Sequence, residues 1–304
     1  MTLSGLRPPP HPLSKSERDR GETAMKFLRI GPIGHELPCV LDSEGVARDI
    51  SSLVADIGPA TMPGLMQAVS MADLSALPEV ATTGARIGSP IARPNNVWCI
   101  GLNYADHAEE AGMPIPEEPI IFSKSSLTVC GPNDPILKSG AMTKLDWEVE
   151  LGIVIGAPAL EIAPEAAMDH VMGYVTANDV SERAWQIERG GTWIKGKTYP
   201  NFCPTGPWLV TADEVPDPQT LALSLSVNGE VMQDGTTATM IFGVAHIVHY
   251  LSQFAKLEPG DLILTGTPPG VGMGLKPPRY LEVGDTVTLS VEGLGQQESV
   301  VEAA

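Results

Sequence analysis

The run DWEVELGIVIG, residues 146–156, alternates carboxylates with hydrophobes at its start and becomes continuously apolar toward its end. Residues two apart on a strand project to one face, so Glu148 and Glu150 point together while Val149 and Leu151 point the other way. Two neighbouring carboxylates repel unless a positive charge lies between them, and a hard divalent cation suits oxygen ligands of this kind. A lone E-x-E is more often an acidic strand face in solvent. The next apolar run shifts that balance. HVMGYVTAND, 170–179, ends on Asp179, a third carboxylate that could complete a facial set and leave positions open for water and a chelating substrate.

Outward from this pair the pattern stays mostly β. GPWLVT (206–211), LALSLSVNGEVM (221–232), DLILTG (261–266) and DTVTLSVEGLG (285–295) read as strands, several closed by tight glycine turns. One helix, Phe242–Phe254, interrupts them before the turn EPGD. Upstream, NVWCIG (96–101) reads as a buried strand, NYADHAEEAG (103–112) as a helix ending at Gly112, and IIFSK (120–124) as a strand. MKFLRI and PCVLD suggest a small meander from Met25, followed by short helical patterns over Ile50–Ile57 and Pro63–Leu77. The breaker-rich stretch GARIGSPIARPNN (84–96) is the candidate boundary between a small N-terminal β-rich domain, 25–93, and a catalytic domain, 94–304. The polar, proline-rich residues 1–24 read as a disordered leader ahead of a start at Met25.

Composition narrows the function classes. A chain of 304 residues with 43% hydrophobic and 18% charged side chains can bury a substantial core and reads as a globular enzyme. Its formal net charge of −18 would repel a nucleic-acid duplex or an anionic membrane, and no basic stripe overrides that field. An anionic substrate must then be drawn in by local cations or a metal. The longest apolar runs are far too short to span a bilayer. Cys39, Cys99, Cys130 and Cys203 lack CxxC spacing, and no secretory signal is present, which suggests reduced thiols in a cytoplasmic protein.

Two further clusters carry chemistry. On a helix His107 and Glu110 share a face, so the carboxylate can fix the imidazole tautomer and raise its basicity, giving a general base for water. In WIKGKTYPNFCPTGP, Lys197 sits beside a glycine in a short loop and could place an ammonium near developing negative charge. The default for either is a solvated surface group. His246, His249, Trp98, Trp185, Trp208 and Cys203 read as packing or surface residues.

Taken in order, GLNYADHAEEAG, PIIFSKSSL, DWEVELGIVIG, GYVTANDVSER, KGKTYPNFCPTGPWL, VNGEVMQDGTTATMIF and PGDLILTGTPPGVG resemble the fumarylacetoacetate hydrolase superfamily over nearly all of Val97–Gly295. ERGGTWIKGK and GPWLVTADEV look most like members acting on 2,4-didehydro-3-deoxy sugar acids such as the L-rhamnonate and L-fuconate derivatives. The resemblance implies a mainly β (α+β) fold, a mixed β-sandwich roll, with a small N-terminal β-rich domain. It implies Mg²⁺ or Mn²⁺ held by Glu148, Glu150 and Asp179, catalytic His107, Glu110 and Lys197, and substrate-binding Lys124, Gln186 and Thr267. It also implies a homodimer and a small-molecule keto-acid substrate. Many acylpyruvase-like members carry an Arg where this chain has Leu102, and an acidic residue where it has Pro200; both departures loosen the inference about substrate.

The expected reaction is hydrolysis of a carbon–carbon bond in a 2,4-diketo acid, with release of pyruvate or a related hydroxy acid. The same metal-enolate chemistry without the water step would give an isomerase, a decarboxylase or ureidoglycolate lyase. Loss of any metal carboxylate or of the base would instead favour a non-catalytic binding protein, and all are retained.

Overall fold

The computed structural model describes residues 25–110 and 112–304, so the expected leader, residues 1–24, lies outside the described residues. The strand-rich reading holds. Among the described residues a ten-stranded sheet runs, edge to edge, through Ala47–Asp49, Leu37–Leu41, Lys26–Ile30, Leu209–Thr211, Val171–Asn178, Val149–Ile155, Leu262–Leu264, Val97–Gly101 and Ile120–Lys124, with Ile87–Gly88 also pairing to Lys26–Ile30. Pairing is antiparallel except between Leu262–Leu264 and Val97–Gly101. A five-stranded sheet orders Glu230–Thr236, Ala222–Val227, Thr286–Val291, Gln296–Ala303 and Ile136–Lys138.

Strand alternation decides where the core sits. Val149, Leu151, Ile153 and Ile155 join Leu223, Leu225, Val227, Val287, Leu289 and Val291 in one apolar cluster, which fastens the two sheets together and also takes in the inner face of helix Val244–Ser252. Val154, Val175 and Ala177 face the opposite way, into a second cluster with Phe27, Val40, Leu65 and Val97. The central strands are therefore buried on both faces, which explains why their sequences read as nearly continuous hydrophobic runs. The sheet crosses the expected boundary near residue 93 without a break, because Lys26–Ile30 pairs with Leu209–Thr211.

Two local expectations differ. Ile50–Ile57 forms turns and no helix: a single backbone turn closes on Ile50 before Gly58–Pro59, while Ile50 and Ile57 are both buried as anchors. The 63–77 pattern splits into a helix, Met62–Ser70, and a 3-10 turn, Leu74–Ala76, which Asp73 caps by accepting from Ser75 N. The four cysteines are free and buried. Among the described residues no helix is long and apolar enough to cross a membrane.

Candidate metal centre and active-site cavity

Register brings the acidic residues together. Val149 is the Cα partner of Asn178, so the next residues outward, Glu148 and Asp179, lie side by side at one end of the strand pair. Asp179 N donates to Glu148 O at 2.9 Å, and Glu148 N donates to Asn178 Oδ1 at 3.1 Å. Glu150, one pleat further in, projects from the same face. All three carboxylates are buried, and one oxygen from each lies within 4.8 Å of the others.

Cations hold two of them, Glu148 and Asp179. Lys197 Nζ donates to Glu148 Oε2 and Asp179 Oδ2, both at 2.7 Å. Lys124 Nζ donates to Asp179 Oδ1 at 2.5 Å, and Arg183 Nη2 is 2.7 Å from Glu148 Oε1. Burial pushes Glu148 up, but Lys197 and Arg183 more than offset it and hold its pKa at about 2. Glu150 goes the other way. Burial, then repulsion from Asp179 and Glu148, raises it well above the usual carboxylate value, and it accepts only from Gly266 N (2.7 Å) among the described residues. A buried carboxylate without a cationic partner, beside two others, is what a hard divalent cation would neutralise, so these donors fit Mg²⁺ or Mn²⁺.

Lys197 is not in a loop. It ends the one-turn helix Ile194–Lys197 and is only 2% exposed, because its ammonium is drawn onto the two buried carboxylates. Burial lowers its pKa, but Asp179 and Glu148 more than compensate, so it stays a cation.

The His107–Glu110 pair forms on helix Ala105–Glu110, and Gly112 closes it as expected: at φ +64° its N donates to Glu109 O at 3.0 Å, and Met113 N donates to Ala108 O at 3.0 Å. His107 Nδ1 and Glu110 Oε2 are 3.0 Å apart, and Glu110 Oε1 accepts from Gly270 N at 3.0 Å. Burial alone would raise Glu110; the bonds from His107 and Gly270 outweigh it and hold the carboxyl below its ordinary value.

One cavity gathers His107, Glu148, Glu150, Gln186, Lys197 and Thr267 on its wall. Asp179 sits behind them, fully buried. Lys124 does not line the cavity; it holds Asp179 from behind and also donates to Val180 O at 3.1 Å. Thr267 lines the cavity with its hydroxyl already engaged, donating to Val149 O and accepting from Gln233 Nε2, both at 2.8 Å.

Two residues of the centre escaped the sequence reading. Arg183 lines the cavity and pairs with both Glu148 and Asp146. Asp146 accepts from Arg183 Nε at 2.8 Å, Gly272 N at 2.7 Å and Met273 N at 3.1 Å. The period of two in D-W-E-V-E could have marked Asp146 as a third carboxylate in the same row. Only the fold shows that it serves Arg183 and the 272–273 turn.

Comparison with known proteins is consistent with this geometry. The family model described as fumarylacetoacetate (FAA) hydrolase C-terminal matches residues 96–302. A relative from Burkholderia multivorans, provisionally designated a hydrolase, is 52% identical over 282 residues, which is 92% of this chain and 100% of its own. The solved fumarylacetoacetate hydrolase of Exiguobacterium antarcticum is 35% identical with a TM-score of 0.80, covering 92% of this chain and 100% of that one. Maleylpyruvate hydrolase from Sphingobium sp. SYK-6, solved with manganese(II) and pyruvate, is 25% identical with a TM-score of 0.77, covering 92% and 100%.

Proposed function

Because the chain belongs to the fumarylacetoacetate hydrolase family, we propose that it is a divalent-metal-dependent hydrolase that cleaves a carbon–carbon bond in a 2,4-diketo acid. The substrate is an acylpyruvate or a 2,4-didehydro-3-deoxy sugar acid, and pyruvate or a related hydroxy acid is released. The single observation carrying this reading is that His107, held by Glu110, lines one cavity with the carboxylates Glu148 and Glu150.

Glu148, Glu150 and Asp179 would hold Mg²⁺ or Mn²⁺, which when bound supplies Lewis-acid polarisation of the 2-keto group and charge stabilisation for an enolate. Lys197, Lys124 and Arg183 fix Glu148 and Asp179 in place through ion pairs. Glu110 on Nδ1 leaves His107 Nε2 free to take a proton from water. The water oxygen adds to the distal carbonyl carbon, and the tetrahedral adduct collapses by breaking the bond to the methylene carbon. One half leaves as a carboxylic acid. The other leaves as the enolate of pyruvate and takes up a proton, so one water is consumed in all. Lys197 and Gln186 donate toward the oxygens that gain charge. This complete base pair favours hydrolysis over isomerase, decarboxylase or lyase chemistry, which needs no activated water.

The test is pyruvate release from a panel of acylpyruvates and 2,4-diketo-3-deoxy sugar acids, with Mg²⁺, with Mn²⁺ and with chelator. Metal-dependent release is expected. No release from any member sinks the reading, and release from acylpyruvates alone removes the sugar-acid option. The proposed assembly is a homodimer, which sedimentation equilibrium checks.

A further inference from the structure

Resting on that reading of the site as one for 2-oxo acids, we infer that the substrate carries a single carboxylate and that its far end is an uncharged, apolar chain running out along the cavity wall. Beside the carboxylates and cations, the cavity is also lined by Leu102, Phe122 and Trp193, with Phe122 under the Lys197 ammonium at 5.2 Å, and by the partly exposed rim residues Met113, Ile187 and Met273. The rim side chains are 48%, 52% and 37% exposed, an unusual amount of large apolar surface to leave in water at one mouth.

The wall is built to stay. Trp193 lies so close over Gly101 that a Cβ there would come within 2.4 Å of its ring, and Phe122 meets it edge-on at 5.3 Å.

A second carboxylate finds no lysine or arginine on the cavity lining that lacks a carboxylate partner. The lining cations are Arg183 and Lys197, and each is already paired with two buried carboxylates. His107 is engaged by Glu110 at Nδ1, and its Nε2 is the atom assigned to the attacking water. Hydroxyls on the far end fare little better: Thr267 is committed to Val149 O and Gln233, Gln186 Oε1 already accepts from Arg183 Nη1 at 3.1 Å, and the Gln186 amide nitrogen is assigned to the reacting oxygens. An anionic or polyhydroxylated tail would give up water among apolar side chains without new partners, whereas an alkyl or aryl tail gains by the same burial.

Binding of non-cleavable 2-oxo acids tests this without relying on turnover. These lack the 4-keto group, so affinity is read directly by calorimetry on the Mn²⁺-loaded enzyme with pyruvate, 2-oxohexanoate and 2-oxohexanedioate. At about threefold per buried methylene, 2-oxohexanoate should bind at least about tenfold more tightly than pyruvate. The dioate should bind at least about tenfold more weakly than 2-oxohexanoate. In Trp193→Ala, with its fold checked by far-UV circular dichroism, the advantage of 2-oxohexanoate over pyruvate should fall below about threefold. Equal or tighter binding of the dioate, or a full advantage retained in Trp193→Ala, overturns the inference while leaving the 2-oxo-acid reading intact. Failure of all three acids to bind overturns both.

Discussion

Glu150 is a buried carboxylate that no cationic side chain pairs with among the described residues, while Glu148, Asp179 and Asp146 each have at least one. Its place is unfavourable for the metal-free protein and useful to the loaded one. Glu150→Gln should therefore leave the metal-free Tm no lower than that of the unmodified protein. The same change should weaken Mn²⁺ binding by more than about tenfold and remove the Tm rise that the metal produces. A thermal melt with and without Mn²⁺ checks both; an undiminished metal-induced rise would take Glu150 out of the ligand set. His107 contacts Glu110 and no metal-site carboxylate. His107→Ala should lower kcat by about 10² to 10⁴ while leaving Mn²⁺ affinity within about twofold. Unchanged turnover would remove the base assignment.

At the scale of elements, the one-turn helix Ile194–Lys197 depends on the glycine between its lysines. A Cβ on Gly196 would lie 2.4 Å from Glu182 O and 2.6 Å from Gln186 Cβ, so only glycine lets this turn seat against the segment that follows Asp179. Gly196→Ala should push the turn outward and draw the Lys197 ammonium off Glu148 and Asp179. The expected cost is about 1–3 kcal/mol of stability and about 10²-fold in kcat/KM, read from denaturant melts and steady-state kinetics. Normal kinetics would show that this packing does not set the position of Lys197. The glycine in K-G-K looked like loop punctuation in the sequence, and the reason it is there lies in the neighbouring element.

Across the whole molecule, two charge effects act at different ranges. With a formal net charge of −18, the protein's general field opposes an anionic substrate, and local cations and metal must overcome it. Raising ionic strength from about 0.01 to 0.15 M should therefore increase kcat/KM for a keto acid, since the Debye length falls from about 30 to 8 Å. A steep decrease would mean that a positive field guides the substrate instead. The second effect ties the first strands to the rest. Glu36 takes bonds from Arg29 and Arg86, which also hold Asp56 and Asp134. Burial pushes Glu36 up, but Arg86 and Arg29 outweigh it, so its folded pKa lies below the ordinary 4.5. A depressed carboxylate contributes stability that is present above pH 4.5 and lost as pH falls through the folded value. Glu36→Gln should lower Tm at pH 7 by about 3 °C and flatten the acid-side loss; melts from pH 7 to pH 3 with the usual acid-side loss would contradict this.

Much of the fold and half of the centre are legible in the amino-acid order. The period-two rows around Glu148 and Glu150, the apolar run ending at Asp179 and the three-residue step from His107 to Glu110 are local facts, set by backbone geometry within a single element. What could not be read were the partnerships across elements. Arg183 meets Asp146 over 37 positions and Lys124 meets Asp179 over 55, and neither has any periodic signature because each depends on which strands pair and in what register. The same holds for Lys197, a loop lysine by its neighbours and a buried cation by its contacts. Amino-acid order by itself determined the strands, the acidic row and the His107–Glu110 pair. Tertiary structure alone decided which cations neutralise that row and which carboxylate is left for a metal, because charge pairing is settled by distance through space and not along the chain.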